Sequence, residues 1–446
     1  MANILLISYD NGSHIPFFPQ NLFYLAGALE KSGKHNINMW LQDIHHGPTS
    51  ALTDILDRNR FDMVGLGFVA GYYQYRVAKE ISNAVNQSKR RKDFRYILGG
   101  HGPAAAPDWF IGKFGADCVV VGDGETAICD LAENNERGVI QGEPCNSEDF
   151  PREILKKFPT HVYRLIRWPT SSRTDFCWPV LSSRGCKWHC SFCYRMRKGF
   201  YERSVESIMD EVKWLHSNLG ITHIQFSDEL LMGSKKRTEE ICESILQLPF
   251  KMKWDCNGRL NYASNSTLQL MKRSGCEYVN YGIESLSQSM LDGMQKGLSV
   301  SQIHAGVQRT LAMGISPGLN LLWGFPNDSV DNLWLAVEFL RKYDPCDELR
   351  TIRPVTPYPG TALFDLAVKD GLLKDAEDFY DRAHVNSDLI AVNFMDMPTE
   401  LAHEYLYRAN KKLVENYLEK RMGRQVDAAA KMYLKGDTSF RGFRDV

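Results

Sequence analysis

The sequence predicts an α/β protein in two units: an N-terminal doubly wound parallel sheet, then a partial (β/α)6 barrel, followed by a helical C-terminal tail. Three observations predict it. Apolar strand-like runs alternate with helical stretches from residue 3 to residue 125, and again from 178 to 355, and that alternation makes parallel strands covered by helices on both faces. Between the two alternations, residues 131–176 carry Pro144, Pro151, Pro159 and Pro169 without periodicity, which reads as an irregular crossing between domains. Finally, 446 residues suffice for two or three domains. The boundaries this implies are 1–135, a linker over 136–176, 177–375 and 376–446.

Composition excludes several classes. Hydrophobic residues at 43% and charged ones at 24% are globular values. Lys+Arg is 53 against Asp+Glu 54, a net charge of -1, and readers of nucleic acid normally carry a basic surplus, so nucleic acid is disfavoured as a partner. No apolar run approaches the ~20 residues that span a bilayer. The start, Met1-Ala2-Asn3-Ile4-Leu5-Leu6-Ile7, lacks a basic leader region and reads as a first strand, not a signal peptide. The expected location is cytoplasmic.

In the first unit the expected strands are 3–8, 37–41, 62–68, 96–98 and 118–121, with helices at 23–31, 49–58 and 73–87. Ligands of such sheets bind past the carboxyl ends of the strands. Three of those ends are glycine-rich: Gly65-Leu66-Gly67 before Phe68, Gly99-Gly100 before His101, and Gly122-Asp123-Gly124 before Glu125. Glycine lets a backbone come close to a ligand or turn with positive φ. Each could be a tight turn; together they favour a large, flat or nucleotide-tailed ligand. No GxGxxG follows the first strand, which disfavours an ordinary dinucleotide site.

In the second unit the expected strands are 180–183, 223–227, 253–257, 278–283, 318–322 and 350–355, with helices at 205–219, 235–246, 267–274, 300–313 and 330–341. Barrel chemistry sits at the carboxyl ends of strands. That singles out Asp228 and Glu229 after the second strand, Asn257 and Arg259 at the third, Glu284 at the fourth and Asn320 on the fifth. A structural ion pair is the competing role for each charged one.

Of eleven cysteines, three fall within eight residues: Cys186-Lys187-Trp188-His189-Cys190-Ser191-Phe192-Cys193. An odd count in a chain this long does not suggest a disulfide framework. Three thiolates at C-x3-C-x2-C spacing from one loop suit three irons of a four-iron cube, leaving the fourth iron open. Zinc with His189 as fourth ligand is an alternative, although His189 abuts Cys190 awkwardly for tetrahedral geometry. Plain packing of three buried cysteines is another, in a segment that is short and polar for it.

With the aromatic Phe192 before its last cysteine, this motif resembles the signature of the radical S-adenosylmethionine (SAM) superfamily. Gly282-Ile283-Glu284-Ser285, Lys296-Gly297, Trp323-Gly324-Phe325-Pro326 and Pro357-Tyr358-Pro359-Gly360-Thr361 extend the resemblance over the second unit. In the first unit, Pro19-Gln20-Asn21-Leu22-Phe23-Tyr24-Leu25-Ala26, Gly99-Gly100-His101 and Val121-Gly122-Asp123-Gly124-Glu125 look like the cobalamin-binding domain fused to one radical SAM branch, so that coverage runs from residue 1 to about 375. The resemblance implies three cofactors: a 4Fe–4S cluster on Cys186, Cys190 and Cys193, SAM, and cobalamin. It implies Phe192 near adenine, Glu284 on the ribose or ammonium of SAM, and Asn257, Arg259 and Asn320 around the same cofactor. Gly12, Gly67, Phe68, Gly99, Gly100, His101, Gly122, Asp123, Gly124 and Glu125 would line the corrin site. Asp228, Glu229 and Tyr358 would face SAM or substrate.

Two departures stand out. The Asp-x-His-x-x-Gly loop that supplies cobalt with histidine in mutases is not matched by Asp10-Asn11-Gly12-Ser13-His14, which leaves His14 a weak axial candidate. Asp43-Ile44-His45-His46-Gly47 follows the second strand instead, so His45 and His46 read as surface turn residues. The loop Gly67-Phe68-Val69-Ala70-Gly71-Tyr72-Tyr73 is apolar where relatives carry serine and threonine, so it either covers the lower corrin face or packs a helix start.

Residues 401–418 are amphipathic, with Leu406, Ala409, Leu413 and Tyr417 on one face, and the basic residues between Lys411 and Arg444 read as a solvated face. The small RNA-binding β-domain of methylthiotransferases and a second cysteine triad are both missing, which argues against tRNA modification. The expected function is cobalamin-dependent radical SAM methylation of an unactivated carbon in a small molecule, with a reducing partner such as flavodoxin or ferredoxin. A cyclase or rearrangement enzyme with the same cofactors, and a non-catalytic zinc- or corrinoid-binding sensor, are the rivals.

Overall fold

The computed structural model describes the chain except residues 13–15, 146–147, 198, 440–441 and 443–446. The axial candidate His14 therefore lies outside the described residues. The first sheet has six strands: β1 (Asn3–Ser8), β2 (Asn36–Leu41), β3 (Met63–Gly67), β4 (Arg95–Gly99), β5 (Cys118–Val121) and β6 (Gly138–Gln141). They run parallel in the order β2-β1-β3-β4-β5-β6. β6 corrects the expectation that 131–176 is irregular: Val139 and Ile140 pair with Val119 and Val120. A four-residue, half-buried edge strand is too short to show a period in sequence.

The second unit contains β7 (Cys177–Val180), β8 (Ser183–Gly185), β9 (Phe200–Glu202), β10 (His223–Phe226), β11 (Lys253–Gly258), β12 (Cys276–Glu284), β13 (Ser316–Trp323) and β14 (Arg353–Pro354). Six of these form a parallel sheet in the order β14-β13-β12-β11-β10-β7. The strand expected at 180–183 is two strands: β7 joins the sheet, and β8 turns off to pair antiparallel with β9, Arg184 opposite Tyr201 and Gly185 opposite Phe200. Gly185 at φ +83 is the turning point; a Cβ there would lie 2.3 Å from the Gly199 carbonyl oxygen. This ribbon clamps both ends of the cysteine loop.

Six helices of this unit begin alike. Ser204, Ser234, Ser264, Ser299, Ser329 and Thr361 each accept a backbone N–H of the first turn with the side chain, and Gln302 completes a capping box with Ser299. Each cap contributes about 1 kcal/mol and fixes where its strand-to-helix loop ends. The C-terminal helix is longer than the amphipathic stretch suggests, running Thr399–Lys435. Its buried Ala402, Leu406, Ala409 and Leu413 belong to the barrel core. No helix among the described residues is long and apolar enough to cross a membrane.

One core joins the units. Phe18 packs against Trp178 with centroids 4.3 Å apart, and edge-on against Tyr163 and Phe158. On the opposite face of the first sheet, Ala367, Leu373, Phe379, Tyr380 and Val392 from beyond the barrel join the core that the sheet makes with Leu52, Tyr75, Phe110 and Phe114.

Candidate active site between the two sheets

The carboxyl ends of both sheets face one cavity of about 410 Å³. Gly67, Gly99, Gly100, His101, Gly122, Gly124 and Val69 line it from the first unit; Leu181, Arg184, Gly185, Ser227 and Glu229 line it from the second. The glycine-rich ends are thus brought together as expected. At Gly99 an added Cβ would meet nothing closer than 3.9 Å, so its side-chain position opens onto the cavity. At Gly100, φ +89 and a Cβ contact of 2.7 Å with the Phe68 carbonyl oxygen require glycine. Most of the exposed wall is apolar, with Leu6, Leu25, Ile97 and Val120 among its residues. A wall of glycine backbone and aliphatic side chains fits a flat macrocycle. The His101 imidazole lies on this wall and burial lowers its pKa, which keeps it neutral.

Several expected positions differ. Phe68 is among the cavity's lining residues, but most of its ring is sunk in the core, stacked on Phe114 and edge-on to Phe110; its neighbour Val69, 45% exposed, lines the cavity beside it. Gly12 is not among the lining residues, and its left-handed turn sits under Tyr73, whose hydroxyl would be 2.6 Å from a Cβ. His46 is exposed and pairs with Asp10 at 2.5 Å, while His45 lies against Trp40. Asp123 and Glu125 reach the cavity with their carboxylates already engaged. Asp123 takes Arg184 at 3.2 Å and Arg197 at 2.7 Å, and Glu125 takes both terminal nitrogens of Arg184.

The cysteine loop lies beside this cavity. Cys190 and Cys193 share a hydrogen bond that pulls the Cys190 thiol down to about 6, an effect Lys296 and Arg259 add to, and that pushes the Cys193 thiol up. Cys186 stands outside that bond, and burial raises its pKa. Among the described residues no three His, Cys, Asp or Glu side chains converge as ligands of one ion would. A four-iron cube asks for something else, one thiolate per iron around a common body, with cations nearby to favour thiolate. Arg259 supplies one: its Nη1 is 4.0 Å from Cys190 Sγ, its guanidinium lies 3.7 Å over the Trp188 ring, and it donates to the Lys296 carbonyl. A second cavity, about 240 Å³, opens at Cys190 and Cys193 and is lined by Arg195 and Arg197. The donor set and its charge fit an anionic cluster.

Glu284 ends β12 in the left-handed region at φ +68. Its carboxylate arches over Gly282, where a Cβ would lie 2.4 Å from Oε1, and accepts from Lys296 Nζ at 2.9 Å. Lys296 in turn sits 5.7 Å from the Phe192 ring centre, and Phe192 meets Phe325 edge-on at 5.5 Å. The family-like segments around 192, 284, 296 and 325 therefore converge.

The remaining strand-end residues build a relay. Asn320 donates to Asn280 Oδ1 at 2.9 Å, Asn280 to Asn257 Oδ1 at 3.0 Å, and Asn257 to the Asp228 carbonyl at 2.8 Å. Asp228 is buried and accepts from Ser182 N–H, Ser182 Oγ and Ser183 Oγ, so its carboxylate braces the strand before the cysteine loop. Glu229, beside it, faces the cavity. Tyr358 lies apart, its hydroxyl 3.4 Å from His384 Nε2 and its ring against Phe379. Arg184, Arg197, Lys296 and Asn280 were not among the site residues expected from sequence. Asn280 had a signal, since it alternates with Tyr278 and Gly282 on one side of β12. The arginines had none beyond flanking the cysteines.

Comparison with known proteins agrees with this geometry. Residues 15–132 match the B12 binding domain and residues 180–340 match the radical SAM superfamily. An uncharacterized methyltransferase of Pyrococcus horikoshii is 27% identical over 80% of this chain and 79% of its own length. The bacteriochlorophyllide d C-12(1)-methyltransferase of Chlorobaculum tepidum is 28% identical over 72% of this chain and 67% of its own. The structure of the radical SAM methyltransferase TsrM from Kitasatospora setae, with cobalamin and a 4Fe–4S cluster bound, superposes with a TM-score of 0.65 at 17% identity, covering 83% of this chain and 78% of that one.

Proposed function

Since this chain is a radical SAM enzyme with a B12 binding domain ahead of its barrel, we propose that it methylates a carbon of a small molecule, using a 4Fe–4S cluster, SAM and cobalamin. The observation that carries this reading is the single cavity shared by the carboxyl ends of both sheets, with the cysteine loop at its side. The relatives named as methyltransferases support it. When bound, the cluster supplies the electron that cleaves SAM to a 5′-deoxyadenosyl radical, and cobalamin supplies the methyl group.

The chain's part is to hold and orient. Cys186, Cys190 and Cys193 hold the cluster, with Arg259 and Lys296 favouring its negative charge. Glu284 receives the ammonium or ribose of SAM, with Phe192 beside the adenine. Gly67, Gly99, Gly100 and Gly122 would let a corrin approach the sheet, with Val69 and His101 on the same wall. Glu229 faces the remaining space, where substrate enters. Tyr358 turns its hydroxyl toward His384, and the substrate-facing role falls to Glu229. Cofactors approaching from opposite sheets would bring the reacting groups together in the space between them, and that proximity would carry the rate. An external electron donor, such as flavodoxin or ferredoxin, completes the cycle.

The test is product counting. Incubated with substrate, SAM and reductant, the reconstituted protein should release S-adenosylhomocysteine and 5′-deoxyadenosine in equal amounts. 5′-Deoxyadenosine without S-adenosylhomocysteine would mean cyclisation or rearrangement in place of methyl transfer. Stoichiometric zinc without iron in anaerobically purified protein would mean no radical chemistry.

A further inference from the structure

The wall between the two cavities is a cluster of buried ions. Asp123, on the turn after β5, receives Arg184 Nη1 at 3.2 Å on one oxygen, and Arg197 Nη1 and the Cys145 N–H, each at 2.7 Å, on the other. Arg184 precedes Cys186 by two residues, and Arg197 follows Cys193 by four. One carboxylate of the first sheet thus holds both ends of the cysteine loop, and Glu125 takes the other side of Arg184. The side chains of Asp123 and Arg197 are only 4% and 6% exposed. Removing one partner of such a pair leaves a charge buried without compensation.

The connection has little slack. Arg197 lines both cavities, and its guanidinium packs 3.7 Å over Tyr201, the residue opposite Arg184 in the β8–β9 ribbon. Across the turn, Gly142 lies so close that a Cβ there would be 1.9 Å from the Asp123 carbonyl oxygen. A shift of the cysteine loop therefore moves the turn that walls the larger cavity.

We propose that Asp123 is a positioning residue that couples the two cofactor sites. Assembly of the cluster fixes the cysteine loop, and with it Arg184 and Arg197. Those fix the turn Gly122–Gly124, so the corrin binds a wall already ordered. Ordering by the first ligand spares the second that cost, and the coupling is reciprocal. The inference rests on the assignment of the two cavities made above.

The experiment is a titration of the full chain with hydroxocobalamin, followed by absorbance, with and without a reconstituted 4Fe–4S cluster. The wild-type chain should bind about tenfold more tightly with the cluster present. In Asp123→Asn, whose amide oxygen still accepts from Cys145, the two affinities should be equal. Asp123→Glu should restore part of the difference, and Arg197→Lys, which keeps charge but loses the fork, should reduce it. The electron paramagnetic resonance spectrum of the reduced cluster should change on adding cobalamin in the wild type but not in Asp123→Asn. Equal wild-type affinities, or a full wild-type ratio in both Asp123→Asn and Arg197→Lys, would overturn the coupling. A wild-type chain that binds no cobalamin in either form overturns the assignment of the cavity, and the coupling with it.

Discussion

Lys296 donates to Glu284 Oε1 at 2.9 Å across the bare α-carbon of Gly282. Glu284 adopts φ +68 to make this contact, and a non-glycine residue held in that region costs about 1–3 kcal/mol. Strain of this kind persists where surroundings over-determine the conformation, as they do at a binding site. A methyl group at 282 would lie 2.4 Å from Oε1 and 3.0 Å from Lys296 Nζ, so Gly282→Ala must displace the pair. We expect Gly282→Ala and Glu284→Gln to weaken SAM binding by about 10- to 100-fold, the value of a hydrogen bond to a charged group. Iron content should be unchanged. Calorimetry with SAM and iron analysis on the same samples check this; loss of iron along with SAM would assign Glu284 to the cluster loop.

Asp175, just before β7, predicts a pH effect. Burial alone would raise its carboxyl, but Lys253 at 2.9 Å and Ser172, through both N–H and hydroxyl, hold it at about 2. The folded value lies below the unfolded one of about 3.9, so the group stabilises the fold at neutral pH, and that contribution fades as pH falls from about 4 to about 2. Asp175→Asn should cost about 2 kcal/mol at neutral pH and much less near pH 2. Urea unfolding at the two pH values checks it, and a difference independent of pH would remove ionisation from the explanation.

Much of this fold was legible in the sequence because parallel sheets with covering helices write long periodic runs. Five strands of the first sheet and the principal helices of the barrel fall where periodicity places them. What periodicity cannot show is the short element. β6, β8 and β9 hold three or four residues each, and their pairing is decided by what they lie against. The cysteine spacing marked out the proposed cluster loop because one chain segment carries all three candidate ligands. Asp123–Arg197 was hidden because the pair is 74 residues apart and joins a turn of the first sheet to the loop after the cysteines in the second unit.

The asparagine relay makes a third prediction. Asn280 both donates to Asn257 and accepts from Asn320. Its replacement by alanine takes a partner from the half-buried Asn257 and from the exposed Asn320. Asn280→Ala should lose about 1–3 kcal/mol of stability, seen as a lower urea midpoint with unchanged slope. Asn320→Ala removes only the outer bond of the chain and should cost less. Equal losses in the two variants would mean that the amides act singly and not as a relay.

The segment past the barrel gives the last. Tyr380 stacks on Trp109 with planes 7° apart and centroids at 5.4 Å, and on Tyr75 at 4.8 Å. Next to it, Asp381 accepts from the Tyr75 hydroxyl at 2.6 Å and from Lys79 and Lys113. These contacts fasten the π-helical turn Asp378–Ala383 to helices of the first unit, at Tyr72–Gln87 and Pro107–Phe114. Deleting a buried aromatic ring costs about 3–5 kcal/mol, and here the loss falls on one short segment. Tyr380→Ala should therefore raise hydrogen exchange across 376–385 while the β1–β5 amides stay protected, because local opening needs less free energy than global unfolding. Asp381→Asn should produce a weaker version of the same pattern. Uniformly faster exchange over the whole first sheet would show that this segment is part of the first unit's own folding core and not a strap laid over it.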